Sequence, residues 1–474
     1  MKKALSKKNL WDKTPLLLKS TLGAGLGLFP TKWLLGKSFR TIRKFIHNAQ
    51  WWSAEQAREY QLNKLSEMLK LAYEKTIFYR NTFDSVGFHP RDIKSLDDMN
   101  QLPTIDKQVV IENLLDMCTK SVNDSDVDFG STGGTSGTPL HFYINANRSS
   151  VEYAYLTMSW DRIGYKLAMP MAVLRGRIVQ PDRNGFRHEY DPILRHHYYS
   201  NFHMTDNNMK LYLKHICKIG PCMLHAYPSS AHTLAKFIIG MNGQVPNNVQ
   251  GILLESENVY PDQVHTIESV FGKRTFSSYG HSEKCVLAVQ CEHTQNYHVW
   301  PTYGFFELLD DNGNPVTTPG QQGEIIGTGF INTVVPFIRY RTGDYATYVG
   351  ESCEACGREH IIIKDIKGRW PQGELIAIDG SIVTMTAINV HDDTFKNVRE
   401  YQFHQSIPGK ATLCIVPVIP LNDKEQQLIV TNMNRRLQGQ VTLDLEIRTE
   451  LVKTPRGKQP RVIQKSVPFT KSEI

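Results

Sequence analysis

Between Ser131 and Pro139 the chain sets three glycines among five serines and threonines (Ser131, Thr132, Gly133, Gly134, Thr135, Ser136, Gly137, Thr138). A turn this dense in backbone N–H and hydroxyl donors is able to wrap phosphate oxygens. It lacks the lysine of a G-x-x-x-x-G-K-[ST] loop, and as a bare pattern it reads equally well as a solvated hairpin turn. Tyr279-Gly280-His281-Ser282-Glu283 sets a carboxylate four residues after an aromatic face, and Arg339-Tyr340-Arg341-Thr342-Gly343-Asp344 ends in a carboxylate suited to two vicinal hydroxyls. Thr454-Pro455-Arg456-Gly457-Lys458 presents a lysine on a glycine-hinged turn. Taken singly, Tyr279 also reads as a packed aromatic and Glu283 as a surface carboxylate. Lys458, among Lys453, Arg456, Arg461 and Lys465, also reads as part of a solvated face.

A second group is metallic. Cys291 and His298, followed by Cys353 and Cys356, offer three thiolates and an imidazole, a closed tetrahedral set that suits structural Zn²⁺. His293 is the rival imidazole, and buried free thiols with surface histidines are the alternative. His188, His196, His197 and His203 are irregularly spaced and read as pocket lining or plain loop before a second metal site. The eight cysteines, with no secretion signal ahead of them, are expected to be reduced.

These residues need elements to hold them. Apolar residues at three- and four-residue spacing predict helix over residues 51–80, and a shorter helix is expected over 105–117. The segment 129–139 reads as a loop feeding a strand at Leu140–Ile144. From 151 to 280, helical stretches alternate with apolar runs at Met171–Leu174, Met223–Ala226 and Gly251–Leu254, which predicts an α/β sheet. Met169–Leu174 and Ala226–Ser229 are expected to line a pocket or pack as core. Phe305–Leu309 and Glu324–Thr328, with Gly- and Asn-rich turns, predict hairpins. A boundary is expected near 367, with a smaller C-terminal module after it.

The 474 residues, 41% apolar and 21% charged, have ordinary globular composition and length for more than one domain. Residues 1–50 carry eleven Lys and Arg against the single Asp12, whereas the rest holds 43 basic and 46 acidic residues. Positive charge confined to a terminus argues against a nucleic-acid partner and favours a local anionic surface. Lys13, Lys19 and Lys32 interrupt the apolar N-terminal stretch, and its longest uncharged run, Ser20–Thr31, is too short to span a bilayer. The expectation is a cytoplasmic protein, peripheral at the inner membrane face through residues 1–50, where a helix packed on the body is the equal alternative.

The order of the four motifs resembles the adenylate-forming superfamily of acyl-CoA synthetases, adenylation domains and luciferases. The phenylacetate–CoA ligase branch is the most similar, especially its capsular-polysaccharide-locus proteins, and the resemblance covers nearly the whole chain. It takes in Leu71-Ala72-Tyr73, Phe78-Tyr79-Arg80 and Leu102-Pro103. It implies an α/β fold with α+β subparts: an AMP-binding domain over 51–366 and a small mobile lid over 367–474. It further implies that Thr132 to Thr138 clamp ATP phosphates and that Ser256, Glu257 and Asn258 line the adenine edge. Tyr279 would stack on adenine beside Gly280, His281 and Ser282, while Glu283 holds Mg²⁺. Asp344 would bind the ribose, Arg369 would contact the nucleotide, and Lys458 would reach the reacting carboxylate. Related chains carry a similar Cys, His and late Cys-pair pattern.

The implied activity is ATP-dependent activation of a carboxylic acid, with transfer to CoA or to a sugar or amine acceptor in surface-polysaccharide assembly. Two departures motivate another reading, a catalytically retired nucleotide-binding scaffold. Thr138 stands where the family usually has lysine, and Trp370-Pro371-Gln372-Gly373 replaces the usual hinge residues.

Overall fold

Ser53 starts the first long helix. Its hydroxyl accepts from Gln56 N–H at 3.2 Å while Gln56 Oε1 accepts from Ser53 N–H at 3.1 Å, closing a capping box. In the computed structural model this helix, α3, runs Ala54–Lys75, and Thr76 both ends it and caps α4, Ile77–Ser85. The expected 51–80 helix is therefore two, broken where Thr76 leaves helical geometry. The structure describes residues 25–26, 29–132, 140–241, 245–368, 373–384, 388, 393–417, 419–452 and 461–464.

Ahead of α3 lie a turn, α1 (Thr31–Leu34), and α2 (Gly36–Ala49). Phe39, Ile46 and Ala49 are buried, and Arg43 reaches Asp161 at 2.6 Å and Thr157 Oγ1 at 2.8 Å. Over residues 31–49 the basic segment is thus docked structure, packed on α6 (Arg148–Trp160). Residues 1–24 lie outside the described set. Among the described residues no helix is long and apolar enough to cross a membrane.

α5 spans Lys107–Asn113, inside the expected 105–117. The expected loop at 129–139 is partly strand: β1 (Val127–Ser131) pairs antiparallel with β2 (His141–Asn145). Backbone pairing of Phe129, Gly130 and Ser131 overrides their loop-like composition.

A twelve-stranded sheet forms the body, in the order β11-β12-β13-β14-β10-β9-β8-β7-β6-β3-β5-β4. Its strands are β3 (Met171–Leu174), β4 (His188–Asp191), β5 (His196–Tyr199), β6 (Cys222–Ala226), β7 (Val249–Leu254), β8 (Thr275–Gly280), β9 (Leu287–Gln290), β10 (Tyr297–Val299), β11 (Gly304–Leu309), β12 (Gln322–Gly329), β13 (Tyr340–Gly350) and β14 (Ile362–Lys367). β5, β3, β6, β7 and β8 are parallel, whereas β8 meets β9 antiparallel. The apolar runs of β3 and β6 are buried throughout, as central parallel strands require, so Met171–Leu174 pack as core. Helices α7 (Asp206–Ile216), α8 (Pro228–Gly240) and α9 (Pro261–Phe271) contribute apolar faces to the core on β3, β6 and β7.

β8 is the seam. Ser277 and the residues before it pair with β7, while Ser278 to Gly280 pair with β9. The strand carrying Tyr279 therefore sits where the parallel half turns into the antiparallel half.

After β14 a smaller unit follows: hairpin β15 (Glu374–Ile376) with β16 (Ile382–Thr384), then a sheet ordered β19-β18-β17-β20. Its strands are β17 (Val398–Ile407), β18 (Lys410–Pro417), β19 (Thr442–Ile447) and β20 (Val462–Gln464), with α10 (Asp423–Leu437) packed on it. The fold is mixed α/β, a large N-terminal domain with a smaller C-terminal one. Phe202 and Tyr227 of the larger part join the smaller unit's core. A Cβ on Gly373 would lie 2.5 Å from Val462 Cβ, so the chain leaving the large sheet passes directly against β20.

Candidate functional site at the seam of the large sheet

Tyr279, at the end of β8, donates its hydroxyl hydrogen to Asp344 Oδ2 at 2.9 Å. Burial and the neighbouring Asp344 charge push that hydroxyl well above its ordinary pKa, so it stays a donor. Asp344 is aimed by its own strand: its N–H donates to Thr342 Oγ1 at 3.1 Å, and Thr342 Oγ1 is anchored on Ile325 O at 2.7 Å. A Cβ on Gly368 would stand 3.3 Å from Asn258 Oδ1 and 3.7 Å from Asp344 Oδ1. Asn258, Tyr279, Asp344 and Gly368, drawn from four separate stretches, thus converge at the seam.

Glu283 lies just beyond. It is buried, with Oε2 at 3.1 Å from His281 Nδ1 and Oε1 accepting from Tyr340 Oη at 3.0 Å. Burial opposes its ionisation, but the hydrogen bond and charge of His281, with the Tyr340 hydroxyl, hold its pKa at about 2. Each carboxylate oxygen keeps lone-pair capacity beyond these bonds. The residue fits one carboxylate ligand of a Mg²⁺ that takes its other ligands from phosphates and water.

Thr132 and Leu140 flank the segment expected to hold phosphates. Thr132 N–H donates to Leu140 O at 2.9 Å and Leu140 N–H donates to Thr132 Oγ1 at 3.0 Å, closing the neck of the loop. Gly133, Gly134, Thr135, Ser136, Gly137 and Thr138 lie outside the described residues, as do Arg369 and Lys458. Packing links the neck to Glu283: Phe142 of β2 meets Phe337 edge-on at 5.5 Å, and Phe337 meets Tyr340 at 5.1 Å.

Beside the seam, the carboxyl ends of β3, β6 and β7 hold a buried polar network of which the sequence motifs singled out only Ser256. Arg175 Nη1 lies 3.0 Å from Glu255 Oε2 and 2.7 Å from His225 Nε2, and Nη2 donates to Ser256 Oγ at 2.7 Å. His225 Nε2 is 3.1 Å from Glu255 Oε2, and Ser278 Oγ donates to Glu255 Oε1 at 3.3 Å. Burial again disfavours the Glu255 charge, yet His225 and Arg175 hold its pKa at about 2, while burial and Arg175 push His225 down. Ser256 adopts φ +69°, a left-handed conformation that costs a non-glycine residue energy and that its surroundings must maintain. Glu257, expected at the adenine edge, accepts from Ser229 N–H through Oε2 at 3.0 Å, at the N-terminus of α8. Gly280 is exposed, and His281 and Ser282 are half-buried beside it. Arg175 and His225 carry no motif spacing, and only their contacts reveal them; Tyr340 lies within the Arg339–Asp344 motif, but its bond to Glu283 has no sequence signal.

The cysteine cluster forms away from this seam. Cys291 follows β9, His298 lies on β10, and Cys353 and Cys356 occupy the turn between β13 and β14. Their ligand atoms all lie within 4.8 Å of one another. Around a tetrahedral Zn²⁺, two sulfurs stand about 3.8 Å apart and a sulfur and an imidazole nitrogen about 3.6 Å. Cys291 Sγ and Cys353 Sγ are 3.9 Å apart, and Cys356 Sγ and His298 Nε2 are 3.7 Å apart. The donor set fits Zn²⁺. His293 instead gives its backbone N–H to Cys291 Sγ at 3.4 Å. The turn also ties down the start of α3, since Arg358 bonds the Glu292 carboxylate at 2.7 Å and lies over Trp51 at 4.2 Å.

No family model matches the chain. It is 25% identical over 410 residues to Protein CapK of Staphylococcus aureus, covering 85% of this chain and 88% of that one. It is 24% identical over 321 residues to the phenylacetate-coenzyme A ligase of Thermus thermophilus, covering 66% of this chain and 71% of that one. Among solved structures, an open conformation of 2-hydroxyisobutyryl-CoA ligase in complex with 2-HIB-AMP and CoA superposes with a TM-score of 0.56. There the identity is 18%, over 88% of this chain and 93% of that one, a likeness of fold.

Proposed function

Since the chain belongs to the adenylate-forming superfamily, in its acyl-CoA and phenylacetate–CoA ligase-like branch, we propose that it activates a carboxylic acid with ATP and passes the acyl group to a second acceptor. The observation that carries this reading is the convergence of Asn258, Tyr279, Asp344 and Gly368 at one seam, with Glu283 two residues past His281.

In the first half-reaction a carboxylate oxygen attacks the α-phosphorus of ATP, and the bond to pyrophosphate breaks. Asp344 accepts hydrogen bonds from the ribose hydroxyls and is held in register by Tyr279 and Thr342. The Tyr279 ring offers a face to the adenine, and Asn258 an amide to its edge. Mg²⁺, when bound, neutralises phosphate charge, and Glu283, kept ionised by His281 and Tyr340, is the residue that would hold it. The 133–138 loop supplies N–H and hydroxyl donors to the phosphates, and Lys458 brings a cation to the oxygen on which charge builds. In the second half-reaction the acceptor's nucleophile attacks the acyl carbon and AMP departs. CoA is the acceptor that the branch favours, and a sugar or amine of a surface glycan is the alternative.

Zn²⁺ at Cys291, His298, Cys353 and Cys356 has a structural role, because four protein ligands leave no open position for chemistry.

Carboxylate-dependent exchange of labelled pyrophosphate into ATP tests the reading across a panel of aliphatic, aromatic and hydroxy acids. Exchange with at least one acid is the expected result. Absence of exchange with every acid, despite measurable ATP binding, favours the retired scaffold.

A further inference from the structure

Far from the seam, at the opposite edge of the parallel half, three histidines meet. His188 lies on the edge strand β4 and His197 on its neighbour β5, where the register sets His188 opposite Tyr199 and Tyr190 opposite His197. Residues two apart on a strand share a face, so His188, Tyr190, His197 and Tyr199 line one side of this hairpin. His215, from the last turn of α7, completes the group on that side. His188 Nε2 is 3.0 Å from His197 Nδ1, and the His188 and His215 ring centroids are 4.3 Å apart.

We propose that His188, His197 and His215 form a second metal site, a three-imidazole site for a divalent transition-metal ion such as Zn²⁺ or Ni²⁺.

Each histidine offers one ligand nitrogen, and the three atoms lie within 4.8 Å of one another. Nitrogens bound to one tetrahedral ion at about 2.0–2.1 Å stand about 3.3 Å apart. The 3.0 Å pair is already at that spacing, and small ring rotations bring in the third. His215 has the partner that metal-bound imidazoles carry on the far nitrogen: its Nδ1 is 2.8 Å from Tyr199 Oη. With Nδ1–H donating to that hydroxyl, the Nε2 lone pair is left for an ion. Phe186 stacks on His188 with centroids 5.4 Å apart and fixes its plane. All three histidines are only half-buried, so an ion enters from solvent and keeps a position for water. A purely imidazole donor set selects Zn²⁺, Ni²⁺ or Cu²⁺ over Mg²⁺ and Ca²⁺.

The ion would clip the β4–β5 hairpin, the exposed edge of the sheet, onto α7. Five strand spacings separate β4 from β8, roughly 24 Å, so the site is structurally independent of the nucleotide site and does not rest on the adenylation reading.

The test uses untagged full-length protein, loaded with Zn²⁺ and desalted so that the cysteine cluster is filled. Calorimetric titration with Ni²⁺ is expected to show one further equivalent bound at micromolar Kd, with a raised Tm. His188→Gln, His197→Gln and His215→Gln should each weaken this uptake by at least about tenfold, and Tyr199→Phe by about tenfold through loss of the far-nitrogen partner. No further uptake by the wild type overturns the proposal, as does unchanged uptake by His215→Gln. Should the variants fail to fold, Co²⁺ added to the zinc-loaded wild type decides. Weak visible d–d bands without thiolate-to-cobalt charge transfer support the histidine site. A charge-transfer band, which reports binding at the cysteines, overturns it.

Discussion

Tyr279 and Asp344 stand 65 residues apart in the chain and are joined by a 2.9 Å hydrogen bond across the seam of the large sheet. The bond makes the aromatic face and the carboxylate proposed to bind ribose one preorganised unit. Tyr279→Phe keeps the face and removes the bond. A hydrogen bond of this kind is worth about 1 kcal/mol, so KM for ATP should rise roughly fivefold while kcat changes little. Pyrophosphate exchange over a range of ATP concentrations measures both, and an unchanged KM would show that the bond does not position the site.

Lys458→Ala should cut acyl-adenylate formation by at least about a hundredfold, the scale of removing one donor to a transition-state oxyanion. ATP binding should survive, since Asn258, Tyr279 and Asp344 remain. Exchange at a near wild-type rate would remove Lys458 from the mechanism.

Protein purified without chelator should retain tightly bound Zn²⁺ at the cysteine cluster, and Cys353→Ser should lower both zinc content and Tm. The loss should be felt at the start of α3, because the same turn carries Arg358 against Trp51 and Glu359 against Ala54 N–H at 2.7 Å. A metal-free preparation with wild-type Tm would refute the structural role.

Acid sensitivity should trace partly to Glu255. Its folded-state pKa is depressed from 4.5 to about 2, so its contribution is complete above about pH 4.5 and is lost as pH falls toward 2. In Glu255→Gln the dependence of unfolding free energy on pH should flatten by up to about 1.4 kcal/mol per unit within that window. Urea unfolding at stepped pH between 5 and 3 measures the slope. Equal slopes would mean that Arg175 and His225 do not hold the charge.

The basic N-terminus divides into two parts with different expectations. Residues 31–49 are docked, so a chain beginning at Ala54 would lose Phe39 and Ile46 from the core and is a poor probe of membrane binding. A chain beginning at Thr31 removes six lysines, each worth about 1 kcal/mol near an anionic surface, and spares the core. Full-length protein should float with anionic vesicles at low salt and this shorter chain should not, at equal Tm. Equal flotation would leave residues 1–30 without a membrane role.

What the sequence determined by itself is what local chemistry and periodicity encode. The core strands at Met171–Leu174, Met223–Ala226 and Gly251–Leu254 were legible because strands buried on both faces must be predominantly apolar, His225 being the one polar side chain among them. Cys291, His298, Cys353 and Cys356 were legible as a candidate set because metal ligation admits few residue types and spacings, and the fold brings their ligand atoms within 4.8 Å of one another. Motif order pointed to Tyr279, Glu283 and Asp344 through resemblance, since each motif alone is ambiguous. Tertiary structure alone decided how these residues are held. Tyr340 seats Glu283, Arg175 and His225 flank Glu255, and His215 meets His188 and His197, because the sheet brings distant segments within hydrogen-bond reach. Such contacts have no sequence period. They depend on strand order and register, above all on β8 pairing parallel on one side and antiparallel on the other, which no local propensity specifies.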